Sequence, residues 1–407
     1  MRIDAYIAEH ARKNPDQLAL EDGKKSISYS CLDEDINKVA SSLDGFEHCK
    51  FAILAESGIQ YVKILMAVYR SGNIAIPQPI EMQGGRSLER ILDTACINNI
   101  IATKKQYSKF GDGFFERFGT VIVVSDDTSV ETLSRRMILE RNDPRLRLVL
   151  YTSGTTGTPK GVMLSDKNLV SNARSITGIL SIGSKDKAAL VISPPHHAFG
   201  NSIINSHLMA GSSIQIGTMN FIDPPVFSLI ESGVSIFYGV PSTYRILLKY
   251  PERFRKAFQN VRTAASAGGA MDRTVVRSIR ELSPDTQILP MYGQTEATAR
   301  LSYLPAEDVD EFIDTIGKAI PGVTLEVFDT ENRPVEPGVT GELVARGDNI
   351  LLGYLNDEAA TEKKIIDGWL HTGGDLAQKL RCGYIKLLGR KDDLIKIGGD
   401  HRLTERD

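Results

Sequence analysis

From Tyr151 to Gly161 the chain reads Tyr-Thr-Ser-Gly-Thr-Thr-Gly-Thr-Pro-Lys-Gly. Residues of these types can cradle phosphate. Glycines let backbone N–H groups approach an anion closely, while hydroxyls and a lysine add donors and charge. The candidates are Thr152, Ser153, Gly154, Thr155, Thr156, Gly157 and Lys160. The Walker A pattern, G-x-x-x-x-G-K-[ST], is not met, because Pro159 stands where its second glycine belongs. Two readings are left: a different phosphate loop, or a plain linker. The apolar Leu148-Val-Leu150 before the run and Thr158-Pro159-Lys160-Gly161-Val162 after it are not features a linker needs.

Such a loop needs a rigid frame, and the surrounding pattern supplies one. Short apolar runs at Phe51–Leu54, Ile74–Ile76, Ile100–Ala102, Val121–Val124 and Leu148–Leu150 read as buried strands. Between them, Leu32, Ile36, Val39 and Leu43 recur on one helical face, with a start expected at Ser30. Tyr61, Leu65, Val68 and Tyr69 mark a second amphipathic helix, stopped at Ser71-Gly72. Runs at Ala189–Ile192, Ser213–Ile216, Ser235–Phe237 and Ile288–Leu289 continue the alternation. It predicts an α/β chain with helix-covered, mainly parallel sheets. From about residue 313 the texture changes. Val323–Phe328, Gly341–Ala345 and Tyr384–Leu388 read as strands joined by turns, a smaller antiparallel β-subdomain.

The 407 residues suggest two or three domains or subdomains. A net charge of -3 gives no electrostatic reason to expect nucleic acid or an anionic membrane as partner. The four cysteines, Cys31, Cys49, Cys96 and Cys382, lie far apart, which speaks against a zinc site and for a reducing compartment. No apolar stretch of about 7–15 residues follows the N-terminus, and none reaches about 18 anywhere. A cytoplasmic protein without a membrane span is expected.

The run from Tyr151 to Val162 resembles the signature loop of the adenylate-forming superfamily: acyl-CoA synthetases, peptide-synthetase adenylation domains and firefly-type luciferases. Other segments resemble that family's motifs in order. Ala67–Pro77 resembles an early structural segment. Pro194-Pro-His196-His197-Ala-Phe199-Gly200 and Gly239-Val240-Pro241-Ser242-Thr243-Tyr244 resemble segments lining the acyl pocket. The resemblance thus implies a pocket at His197, Phe199, Gly200, Asn201, Val240 and Ser242. The plain alternatives are a hydrogen-bonded buried histidine and ordinary helix capping. Ser266–Ala270 resembles the loop on which adenine lies, which implies contacts at Gly268, Gly269 and Ala270.

Met291-Tyr292-Gly293-Gln294-Thr295-Glu296 resembles the family's Y-G-x-T-E motif. An aromatic ring can stack on adenine, and a threonine hydroxyl can donate to the α-phosphate. A carboxylate can hold Mg2+, a hard cation that bridges phosphates. The resemblance therefore implies catalytic roles for Lys160, Thr295 and Glu296, with Glu296 the metal ligand. Gly341–Gly347 and Leu352-Gly-Tyr354 resemble a scaffold segment. Trp369-Leu-His-Thr372-Gly373-Gly374-Asp375 resembles W-x-x-T-G-D, whose carboxylate suits the ribose hydroxyls. Two glycines stand there instead of one, which puts the backbone around Asp375 in question. Tyr384–Asp393 resembles the hinge motif, with Arg390 toward ribose or phosphate and Asp392 at the hinge.

The implied fold is the large N-terminal domain of these enzymes over 1–390, with α/β subdomains at about 1–170 and 171–312 and a β-rich one at 313–390. Residues 391–407 would be the hinge and the start of a C-terminal domain. In the family that domain has roughly 100–130 residues and carries a lysine that completes adenylation. The chain is expected to lack it. It is then expected to bind ATP, form adenylate slowly and form no thioester. Gly398-Gly399-Asp400-His401 also departs by one residue from the family's G-G-x-R.

The implied chemistry is attack of a carboxylate on the α-phosphorus of ATP, then transfer to coenzyme A or a carrier-protein pantetheine. Ala198-Phe199-Gly200-Asn201-Ser202 lacks the Asp that amino-acid-activating relatives use, so an uncharged acid is favoured. Tyr292–Pro305 most resembles fatty-acyl or general acyl-CoA ligases. An amino- or aryl-acid adenylation domain and a non-catalytic nucleotide-binding member remain as alternatives. A γ-phosphate transferase would need a Walker A loop or the kinase motifs.

Overall fold

The apolar runs form strands where burial on both faces favours them. The computed structural model describes residues 2–23, 25–79, 85–136, 142–152, 159–191, 193–217, 225–391, 394–397 and 400–403. In the first sheet the parallel strands lie in the order Leu146–Thr152, Ile74–Pro77, Lys50–Leu54, Asn99–Thr103 and Thr120–Val124. Every residue of the last three is buried, as expected of strands covered by helices on both sides. The sheet's edges are antiparallel: Val130–Arg135 on one side, Lys160–Ser165 and then Gly353–Tyr354 on the other.

The second sheet has nine strands. Six run parallel, in the order Gln287–Tyr292, Thr263–Ser266, Ile236–Gly239, Lys187–Leu190, Ser213–Ile216 and Leu18–Glu21. The two sheets exchange segments across the expected boundary near residue 170. Residues 18–28 pair into the second sheet, while Gly353–Tyr354 pairs into the first. The third sheet, Val323–Phe328, Thr340–Gly347, Trp369–Lys379, Ile365–Ile366 and Ile385–Arg390, is antiparallel throughout.

Two helices differ from expectation. The first runs Tyr29–Ser41, and its cap is Ser28, whose Oγ accepts from the Cys31 N–H at 3.3 Å. Ser30 lies inside the first turn. The second, Ile59–Arg70, is not amphipathic: residues 61–69 are all buried. A helix covered all round belongs to the interior. Its one buried cation, Lys63, is neutralised by Asp35 at 2.7 Å and bonded to Thr128 at 3.0 Å. Leu65→Ala would leave a cavity there, at about 2–5 kcal/mol. Among the described residues no helix is long and apolar enough to cross a membrane.

Candidate active site

In open parallel sheets, ligands sit beyond the carboxyl ends of the strands. Four neighbouring strands of the second sheet deliver the expected segments to one edge. Gln287–Tyr292 leads into Gly293–Glu296, Thr263–Ser266 into Gly268–Ala270, and Ile236–Gly239 into Val240–Ser242. Lys187–Leu190 leads toward the helix Ala198–Ala210, capped at His197. The loops touch. A side chain at Gly268 would meet Val240 at 3.4 Å, and one at Gly269 would meet Pro241 at 3.4 Å. Gly268, Gly269 and Ala270 are exposed small residues.

The phosphate-loop candidates arrive from the first sheet. Strands Leu146–Thr152 and Lys160–Ser165 are antiparallel, with Thr152 opposite Lys160. These two strands are therefore the arms of a β-hairpin. A Walker loop runs from strand to helix, whereas here the described residues after the loop continue as the strand Lys160–Ser165. Ser153, Gly154, Thr155, Thr156 and Gly157 lie outside the described residues, as does the hinge candidate Asp392.

Thr152, Lys160, Gln294, Thr295, Glu296, Thr372 and Arg390 line one cleft of about 650 Å³. Tyr354 forms part of its wall. Its pairing with Val162 puts its ring under Lys160, whose Nζ lies 5.1 Å from the ring centre. Its hydroxyl donates to Glu296 Oε1 at 2.7 Å. Burial, then the Glu296 charge, pushes the Tyr354 phenol up, so it remains a donor. The segment expected to be scaffold thus touches the proposed metal ligand.

Glu296 is held on its other side by backbone geometry. Its carbonyl accepts from the Leu351 N–H at 2.9 Å. Two residues on, Thr298 takes a left-handed φ of 66°, uncommon for a threonine, and its hydroxyl is fixed on the Asn349 carbonyl at 2.7 Å. Gly293 passes so close to the returning chain that a Cβ would stand 1.9 Å from the Ala299 carbonyl oxygen.

Asp375 receives a donor on each oxygen. Tyr292 donates to Oδ2, and Arg390 donates from Nε to Oδ1 at 3.2 Å. Burial, then the Asp375 charge, raises the Tyr292 phenol well above its usual range. A carboxylate has about four acceptor positions, so two hydroxyls of a ribose still find room. The additional glycine before Asp375 is taken up by a bulge. Between Glu342 and Val344 the partner strand advances from Leu376 back to His371, five residues against two. Gly373 and Gly374, with φ of 91° and 90°, form the bulge. Glu342 fills it, accepting from Gly374 N at 3.2 Å and contacting His371 Nδ1 at 3.2 Å. Burial alone would raise Glu342; these donors hold it below the usual carboxylate range.

The acyl-pocket candidates divide. His197 is exposed, whereas burial, then His197, pushes the neighbouring His196 imidazole down to about 4. Gly200 donates its N–H to Ser193 Oγ at 3.2 Å. Val240 lies beside the adenine-loop candidates, and Ser242 is exposed. Asn201 is 2% exposed and its side-chain oxygen is taken by Asn205 at 2.8 Å, an interior position. Phe199 lies against Arg300, whose guanidinium carbon is 4.3 Å from the ring centre. Arg300 is buried and finds no carboxylate within ion-pair distance among the described residues. Sequence reasoning missed its place. The available signal was a lone Arg four residues past Glu296.

The residues fit Mg2+ in one respect that the structure tests. Among the described residues no cluster of three or more acidic, His or Cys side chains forms a metal cage. Glu296, with one oxygen fixed by Tyr354, lines the cleft together with one further carboxylate, Asp357. One or two carboxylates with phosphate oxygens and water are how Mg2+ is usually held beside a nucleotide.

Comparison with known proteins bears on the family and the fold. A family model described as AMP-binding enzyme matches residues 7–355. An indoleacetate–CoA ligase from Aromatoleum aromaticum is 25% identical, over 98% of this chain and 81% of that protein. The putative acyl-CoA synthetase YngI of Bacillus subtilis is 30% identical, over 71% of this chain and 53% of that protein. Apo MatB from Rhodopseudomonas palustris has the same fold, with a TM-score of 0.84 at 24% identity, covering 99% of this chain and 81% of that one.

Proposed function

Since this chain belongs to the AMP-binding enzymes of the adenylate-forming superfamily, we propose that it activates a carboxylic acid as an acyl-adenylate. A carboxylate oxygen attacks the α-phosphorus of ATP. The bond from that phosphorus to the bridging oxygen breaks, and pyrophosphate leaves with the electron pair. No protein nucleophile and no proton transfer is required. Catalysis is positioning plus neutralisation of phosphate charge.

The observation that carries this reading is the single cleft that gathers Thr152, Lys160, Thr295, Glu296 and Arg390. Lys160, the hydroxyls of Thr152 and Thr295, and the 153–157 loop would bind the phosphates. Gly268–Ala270, Tyr292, Gly293 and Gln294 would frame the adenosine, and Asp375, backed by Tyr292 and Arg390, would take the ribose hydroxyls. Glu296 would hold Mg2+, which supplies charge neutralisation on the phosphates when bound. His197, Phe199, Gly200, Asn201, Val240 and Ser242 would border the acid. Residues 1–390 act as one AMP-binding unit in this reading, with the hinge at 391–407.

The absence of a carboxylate from Ala198–Ser202 supports a fatty or other non-amino acid. The acceptor in the second half-reaction would be coenzyme A or a carrier-protein thiol. The test is acid-dependent ATP–pyrophosphate exchange across fatty, aryl and amino acids. Exchange with a fatty or aryl acid is expected. Release of inorganic phosphate instead, or exchange with amino acids alone, would overturn the reading or its substrate part respectively.

A further inference from the structure

Lys364 ends the helix Glu358–Lys364 and forms part of the cleft wall beside Thr372 and Gly373. Around it Glu-Lys-Lys reads as an ordinary solvated helix end, yet Lys364 is half-buried while Glu362 and Lys363 before it are exposed. An ammonium has three donors. The one bond formed is long, 3.4 Å from Nζ to Gln294 Oε1. Among the described residues, no carboxylate lies within ion-pair distance. Gly373 lies beside it: a Cβ added there would stand 3.1 Å from Nζ. The ammonium thus points into the space between Gln294 and the glycine bulge, on the same cleft as Lys160 and Arg390.

A half-buried cation with one long bond keeps donors free for an anion that enters the cleft. We propose that Lys364 contacts a non-bridging oxygen of the α-phosphoryl group and stabilises it while the carboxylate bond forms and the pyrophosphate bond breaks. The inference rests on the adenylation reading above. Lys364 keeps its proton throughout, so the stoichiometry of the step is unchanged. Its placement one residue from Thr295, through Gln294, is the geometric reason for choosing the α-phosphoryl group.

The surroundings give this contact a pH signature. Burial lowers the Lys364 pKa from its ordinary value; Glu296, Asp375 and Glu342 oppose that, and Arg390 adds to it. Tyr354 and His371 are further titratable groups on the strands packed against its helix. The ammonium is the active form, so activity should fall on the alkaline side as it deprotonates.

The experiment compares the protein with Lys364→Met and Lys364→Arg. ATP–pyrophosphate exchange and ATP binding of the unaltered protein are measured first, and failure there sinks the adenylation reading itself. With exchange in hand, Lys364→Met is expected to lower kcat about 100-fold, the scale of losing one transition-state donor. The KM for the acid should stay within about threefold. Lys364→Arg should recover much of the rate and move the alkaline limb upward, because a guanidinium stays protonated. A purely structural role would not move that limb. Exchange by Lys364→Met within about threefold of the unaltered protein would overturn the inference. So would an unmoved alkaline limb in Lys364→Arg, which decides the matter even if the Met variant fails to fold.

Discussion

Tyr354 donates to Glu296 at 2.7 Å although 58 residues separate them. The bond exists because Gly353–Tyr354 adds itself as an edge strand to the Lys160–Ser165 hairpin arm. It joins the phosphate-loop hairpin to the proposed metal ligand through one side chain. A hydrogen bond to a charged group contributes roughly 1.5–3 kcal/mol. Tyr354→Phe should therefore raise the Mg2+ concentration for half-maximal pyrophosphate exchange about tenfold or more. An unchanged Mg2+ titration would refute the anchoring role.

Glu296 itself should be far less tolerant. Glu296→Gln keeps an acceptor for Tyr354 but removes the charge. Exchange at saturating ATP is expected to drop about 100-fold in both Glu296→Gln and Glu296→Ala. Equal circular-dichroism melts of the variants would separate this from unfolding. Retained Mg2+-dependent exchange in Glu296→Gln would show that the carboxylate is not the ligand.

The bulge at Gly373-Gly374 makes a backbone prediction. Both residues sit near φ of +90°, where an L side chain is strained. Gly374→Ala should cost about 1–2 kcal/mol, read as a lower urea midpoint. The KM for ATP should rise with it, since the bulge aims Asp375. A variant with a normal midpoint and normal KM would mean that the bulge geometry is not needed.

Asp186 offers a pH test away from the cleft. It bonds Arg262 through both oxygens, at 2.9 and 2.8 Å, and accepts from Ser235 and the Gly183 N–H. Burial alone would raise it, but these donors, Arg262 first among them, hold it at about 2. An unfolded Asp titrates near 4, so the stabilisation is complete above that value and drains away as pH falls through about 2. Asp186→Asn should lower the urea midpoint at neutral pH, with the gap closing toward about pH 2–3. A gap of constant size across that range would contradict the linkage.

How much of this was legible depended on how local each signal was. The buried parallel strands announced themselves as unbroken apolar runs, because both their faces are covered. The Leu18–Glu21 strand did not: four residues carry little pattern, and its partner at 213–216 is distant. Ser28 and Ser30 are equally good caps by composition, and only the strand Ser26–Ser28 before the helix decides between them. Thr152, Lys160, Thr295, Glu296 and Arg390 were read from separate motifs, and the cleft they line is a product of tertiary folding. Tyr354 and Lys364 escaped for the same reason. A tyrosine on a two-residue edge strand and a lysine in a charged helix acquire chemistry only through the neighbours that folding provides.

The strand at residues 18–21 carries a consequence for how the chain is made. Its parallel partner, Ser213–Ile216, is about 190 residues later. At roughly 5–20 residues per second, a ribosome takes about 10–40 s to cover that distance. For that interval the strand has only its hairpin partner, Ser26–Ser28, and its other edge stays open as a template for wrong pairing. The second sheet closes only late in synthesis. The first sheet's five parallel strands all lie within residues 50–152 and can assemble well before it.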